Sequence, residues 1–92
     1  MDAQERLIAL CAAWLGEDNG KPVMINENYG KVYRSPRGRY YVTNMVSGYE
    51  VNLHYAENIC MRDNYVSFTA NGEAFELNFI CFVSLEDILK GA

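Results

Sequence analysis

Ninety-two residues, half of them apolar or aromatic, make one folding unit rather than two and exclude a disordered chain. A chain of this size buries somewhat over ~60% of its unfolded surface, enough to fold without a staple. The net charge of −4 excludes a surface that attracts nucleic acid or anionic lipid indiscriminately.

The first predicted element is a helix over residues 2–15. Asp2 can cap it, with Glu5 three positions on to complete a capping box. Leu7, Leu10, Cys11 and Trp14 follow at i, i+3, i+4 and i+7 and form one apolar stripe. Gly16 suits the left-handed residue that ends a helix. After the polar stretch Glu17 to Lys21, the pattern changes to alternation, so the helix must pack on sheet. Val23 to Asn26 can add an edge strand.

Three turns set the strand registers. In Ser35-Pro36-Arg37-Gly38, proline suits the first turn position and Gly38 the left-handed bulge of a three-residue hairpin loop. That places Val32 opposite Val42 and Tyr33 opposite Tyr41. Ser47-Gly48 reads as a two-residue loop, which places Val42 opposite Leu53 and Tyr40 opposite Tyr55. One face of the meander then collects Val32, Tyr40, Val42, Val46, Tyr49, Val51, Leu53 and Tyr55. The other holds Lys31, Arg39, Tyr41, Thr43, Glu50, Asn52 and His54. Asn71-Gly72 is the strongest hairpin signal and pairs Phe68 with Phe75 and Val66 with Leu77. Phe79, Cys81 and Val83 extend that apolar face, whereas Asn58 to Asp63 has no clear pattern. A short helix is expected from Ser84, with Ser84 and Asp87 as a capping box and Gly91 as its stop. The fold class that results is α+β: an N-terminal helix on a mostly antiparallel sheet of about five strands, a meander plus a hairpin, with a short C-terminal helix.

Catalytic chemistry finds little to use. The single histidine, His54, would have to serve any Ser-His-Asp or Cys-His arrangement, and no acid accompanies it at a motif spacing. Cys11, Cys60 and Cys81 with His54 match no zinc frame, and Cys11 and Cys81 fall on apolar faces, where cysteine is a small buried hydrophobe. The glycines form no phosphate loop. The acidic pairs Glu17/Asp18 and Glu86/Asp87 sit in a loop and at a helix start, where carboxylates have structural uses. The chain therefore reads as a non-enzyme with no metal or cofactor. An odd, sparse set of cysteines suits a reducing compartment. Asp2 and Glu5 replace the positive charge of a signal peptide, and the apolar run from Leu7 to Leu15 is about half a bilayer span. A cytoplasmic location is expected.

One segment stands apart, Tyr29 to Tyr41. It holds Lys31, Arg34, Arg37 and Arg39 and no acid, which leaves four basic residues against twelve acidic ones elsewhere, a net −8. The register puts Lys31, Tyr33, Arg39 and Tyr41 on one polar face beside His54, with Arg37 at the loop tip. Arginine forks bind phosphate or carboxylate at two points, and tyrosine offers flat stacking area at low entropy cost. Lys31, Tyr33, Arg34, Arg37, Arg39 and Tyr41 are thus the candidate partner-binding residues. Together they suit RNA phosphate or an acidic protein surface; the bland alternative is a charged hairpin that keeps the sheet soluble.

In size, acidic charge, lack of catalytic motifs and helix-plus-sheet layout, the chain resembles small phage-encoded anti-CRISPR inhibitors. The resemblance is one of overall character and rests on no shared motif. It implies that the partner is a host protein or nucleoprotein complex, and that the chain is a steric inhibitor covering a protein or guide-RNA surface of a host RNA-guided surveillance complex. A small RNA-contacting regulatory domain using residues 29–41 is the alternative, and a structural subunit of an oligomer is a third reading.

Overall fold

A computed structural model describes residues 2–62 and 64–79. The expected C-terminal helix, with Ser84, Asp87 and Gly91, lies outside the described residues, as do Cys81 and Val83.

Helix α1 spans Ala3–Leu15. The Asp2 carboxylate accepts from the Glu5 amide at 2.8 Å, which satisfies one of the free donors of the first turn. At the other end Gly16, at φ 56°, donates to the Ala12 carbonyl at 3.0 Å. The predicted stripe is the buried one: Leu7, Leu10, Cys11 and Trp14, joined by Leu15.

Seven strands follow: β1 (Lys21–Ile25), β2 (Asn28–Arg34), β3 (Tyr40–Asn44), β4 (Glu50–Asn52), β5 (Glu57–Met61), β6 (Tyr65–Ala70) and β7 (Glu73–Asn78). They form one antiparallel sheet in the order β4-β3-β2-β1-β7-β6-β5. Among the described residues the count is seven rather than five, because 57–61 is a strand and β1 takes part fully. Nor is β1 an edge strand. It lies at the centre, paired along its length with β2 and through Met24 and Ile25 with β7.

The β1–β7 seam is short, and Asn26 lengthens it. The Asn26 backbone N–H donates to the Glu76 carbonyl at 3.0 Å, and its side-chain Oδ1 accepts from the Glu76 N–H at 2.8 Å. A side-chain amide here continues the ladder that the backbone starts. Asn26 and Glu27 both take positive φ, the geometry of a tight turn whose twist matches the flanking strands.

Both outer hairpins have the predicted register: Val32 opposite Val42 and Tyr33 opposite Tyr41, then Phe68 opposite Phe75 and Val66 opposite Leu77. The β3–β4 connection differs. Asn44 pairs with Tyr49, and its Oδ1 accepts from the amides of Val46 and Ser47 at 2.9 and 3.1 Å. This turn gathers four residues into the loop instead of two, so Val42 faces Val51, not Leu53. Val46 and Tyr49 are consequently exposed.

Leu53–Tyr55 is not strand but a 3-10 turn, capped by the Asn52 side chain, which accepts from the His54 N–H at 2.9 Å. The registers make β4 and β5 run in the same direction, so no hairpin can join them. The 3-10 turn instead carries the chain from one edge of the curled sheet to the other. Leu53 stays fully buried, while Tyr55 is exposed rather than paired with Tyr40.

Helix α1 lies inside the curl against β2, β3, β5 and the 3-10 turn. Its stripe joins Val23, Ile25, Val32, Val42, Phe68, Leu77 and Phe79 in one continuous core. Trp14 meets Phe79 edge to face at 5.4 Å and donates from Nε1 to the Pro22 carbonyl at 3.2 Å, so the helix C-terminus is locked to β1. Lys21 Nζ covers the same ring from 4.1 Å.

Gly30 is the tightest point of the sheet. A β-carbon there would lie 2.8 Å from Ile25 Cγ2 and 2.8 Å from the Thr43 carbonyl oxygen. The backbone oxygen cannot yield as a side chain would. Gly30→Ala is expected to cost ~1–3 kcal/mol, the range for overpacking a tight core; urea denaturation measures it.

Candidate functional site

The alternation of β2 turns Gly30 and Val32 inward and leaves Tyr29, Lys31 and Tyr33 on the outer face. Tyr41 and Thr43 of β3 share that face, since Tyr41 stands opposite Tyr33 and Thr43 opposite Lys31. The Met45 N–H donates to the Tyr29 carbonyl at 2.9 Å and brings Met45 beside Tyr29. β2 and β3, with Met45 just beyond β3, therefore bring three tyrosines, a methionine and a lysine along one side.

The tyrosines are held in place. The Tyr33 and Tyr41 rings stack with centroids 6.1 Å apart and planes 20° from parallel. The Tyr33 hydroxyl donates to the Glu50 carboxylate from β4 and accepts from Thr43 Oγ1 at 2.9 Å. A ring stacked on one side and bonded at its tip has little rotamer freedom left to lose on binding.

Of the predicted site residues, Lys31, Tyr33 and Tyr41 come together on this face. Arg37 and Arg39 are exposed at the hairpin tip, where Ser35 and Arg39 close the expected three-residue loop through Ser35 N–H to Arg39 carbonyl, 2.8 Å, with Gly38 at φ 78°. Arg34 belongs elsewhere. It is opposite Tyr40 on the inward side, donates from Nη1 to the Tyr40 hydroxyl at 3.1 Å, and sits 5.8 Å from the ring centre. Asn19 fixes its backbone at both N–H and carbonyl, 2.8 and 3.1 Å. Tyr29 and Met45 were not among the residues singled out for binding. The first is readable from the same two-residue alternation, the second only once the Asn44 loop is known.

His54 is also displaced from its expected position beside Tyr41. It stacks over Tyr40 at 6.4 Å from the 3-10 turn. Its Nε2 is enclosed with no hydrogen-bond partner among the described residues. Burial and then the positive charge of Arg39 push its pKa below the ordinary imidazole value, so it is neutral at pH 7. Cys11 is fully buried and its thiol is pushed up to about 12 by desolvation, which keeps it protonated and unreactive at neutral pH. Cys60 is half-buried and unpaired. Among the described residues no three His, Cys, Asp or Glu side chains converge as a metal site would require, and no helix is long and apolar enough to cross a membrane.

A second concave feature lies away from the hairpin face. A cleft of about 640 Å³ opens between the first turn of α1, the 3-10 turn and the β6–β7 hairpin. Gln4, Tyr55, Glu57, Asn58, Thr69 and Asn71 are among the residues on its walls. No family model, curated protein or solved structure matches the chain.

Proposed function

We propose that this chain is a non-enzymatic binding protein that docks on a protein surface through the outer face of β2 and β3. The observation that carries the reading is the pinned pair Tyr33–Tyr41, continued by Tyr29 and Met45 around Lys31. Aromatic residues, methionine and arginine are enriched where proteins bind proteins, and rigid aromatics dominate the affinity there. Glu50 favours a protein partner over RNA, because its carboxylate lies at the Tyr33 hydroxyl, where a phosphate backbone would be repelled. A binding role rather than a catalytic one is supported by the enclosed Nε2 of the single histidine and the buried thiol of Cys11.

The resemblance in size, charge and layout to phage-encoded anti-CRISPR inhibitors gives the partner its class: a protein subunit of a host RNA-guided surveillance complex, blocked sterically. Arg37 and Arg39, exposed at the tip, supply the charged part of that contact, to carboxylates of the partner or to guide-RNA phosphate. The test is capture of such a complex with tagged protein, before and after nuclease treatment, in wild type and Tyr33→Ala. Retention after nuclease with at least tenfold weaker capture by Tyr33→Ala supports the reading. Loss of all capture on nuclease treatment points to the RNA-contacting domain, and unaltered capture by Tyr33→Ala removes the face from consideration.

A further inference from the structure

The cleft beside Tyr55 has a hydrogen-bonding polarity that its own contacts dictate. Gln4 Nε2 donates to the His54 carbonyl at 2.6 Å and to the Ala56 carbonyl at 3.4 Å. Carbonyls accept only, so both Gln4 N–H groups are spent and its free amide atom is the oxygen. Asn58 Nδ2 donates to Thr69 Oγ1 at 3.0 Å, and that hydroxyl donates onward to the Glu57 carbonyl at 3.4 Å. The Asn58 oxygen and its second Nδ2 hydrogen have no partner among the described residues. Glu57, exposed on the same wall, adds a carboxylate. The cleft wall therefore offers three acceptors, the Gln4 and Asn58 oxygens and the Glu57 carboxylate.

Two further features fit a ligand site. Tyr55, 60% exposed on the cleft wall, presents its ring with no stacking partner among the described residues. Asn58 sits at φ 52° where the β5–β6 register shifts between Glu57 and Cys60. Bulges of this kind re-aim a side chain, and asparagine is among the few non-glycine residues that enter left-handed backbone readily.

We propose that this cleft binds a guanidinium or ammonium group, stacked on the Tyr55 ring, paired with Glu57 and hydrogen-bonded by the oxygens of Gln4 and Asn58. Aromatic faces attract such cations, and arginine above all presents planar donors to match several acceptors. An anion is the competing occupant, since Arg39 acts on His54 from the hairpin side. It would need His54 as a donor, but Nε2 is enclosed and the ring is neutral. The site is built from α1, the 3-10 turn, β5 and β6, and is independent of the hairpin face.

The test is titration of isotope-labelled protein with ethylguanidinium and, separately, inorganic phosphate, followed by NMR at the Gln4 and Asn58 side-chain amides and the Tyr55 ring. Saturable shifts with ethylguanidinium are expected, weakened about fivefold or more in Tyr55→Ala and in Glu57→Gln and unchanged in Tyr33→Ala. Both cleft substitutions are at exposed positions, and the backbone amide spectrum verifies their fold. A short arginine peptide that binds more tightly than ethylguanidinium places the group on a protein ligand; equal affinity places it on a small cation, and either upholds the site. Non-saturating shifts, indifference to both substitutions, or a response to phosphate alone would overturn it.

Discussion

Leu53→Ala should destabilise the protein by ~2–5 kcal/mol, read as a lower urea midpoint at unchanged m-value. Leu53 is completely buried although it belongs to a 3-10 turn of three residues. That turn is where the chain passes between the two edges of the sheet, with α1 packed on it. Truncation removes the apolar transfer energy and leaves a cavity at a point pinned by the Asn52 cap and the Gln4 bond to His54, which resist collapse. Phe68→Ala removes more volume from β6, but its neighbour Phe75 is stacked at 5.5 Å and has Tyr49 on it in turn at 6.1 Å. The half-exposed Tyr49 ring can follow the cavity inward. Leu53→Ala should therefore lose more stability per atom removed than Phe68→Ala. A wild-type midpoint for Leu53→Ala would mean that the 3-10 turn is not part of the core.

The elements that were legible in the sequence are those whose signals are local. Asp2 and Gly16 bound α1 by capping chemistry, and Asn71-Gly72 set the β6–β7 register because that dipeptide takes positive φ at both positions cheaply. The β3–β4 register was misread by two residues, and the side-chain alternation could not detect it. A slip of two keeps every residue on its own face, so Val51 and Leu53 are both buried under either pairing. Only the Asn44 side chain, accepting from two amides of its own loop, decides between them. The central place of β1 was illegible for a different reason. It depends on a pairing with β7 more than fifty residues away, and on a tight turn at Asn26-Glu27 that lacks glycine. In the candidate site, alternation alone separates Arg34 from Tyr33. Charge along residues 29–41 does not carry that distinction, and it is Arg34 that folds onto Tyr40.

Arg37→Glu combined with Arg39→Glu should abolish partner capture while leaving the melting temperature near that of wild type. Both side chains are exposed at the hairpin tip, away from the core, where substitutions usually change stability by under ~0.5 kcal/mol. An arginine in a desolvated charged contact is different: removing it costs ~2–5 kcal/mol of binding, largely through the partner charge left unpaired, and reversal adds repulsion. His54 is a built-in check that the tip keeps its place. Its pKa is lowered by burial first and by Arg39 second, so reversal at position 39 should move it back toward the ordinary imidazole value without restoring it fully. Proton NMR across pH 4 to 8 follows that titration. Because the folded-state value lies below the unfolded one, His54 contributes stability that is lost as pH falls below about 6.5, and the double variant should lose less of it. Salt then distinguishes the partners: affinity that falls steeply with ionic strength marks several neutralised phosphates, whereas a protein contact centred on Tyr33 and Tyr41 falls gently. Should the double reversal bind as wild type does, while Tyr33→Ala does not, the tip is solvated surface and the tyrosine face alone carries the contact.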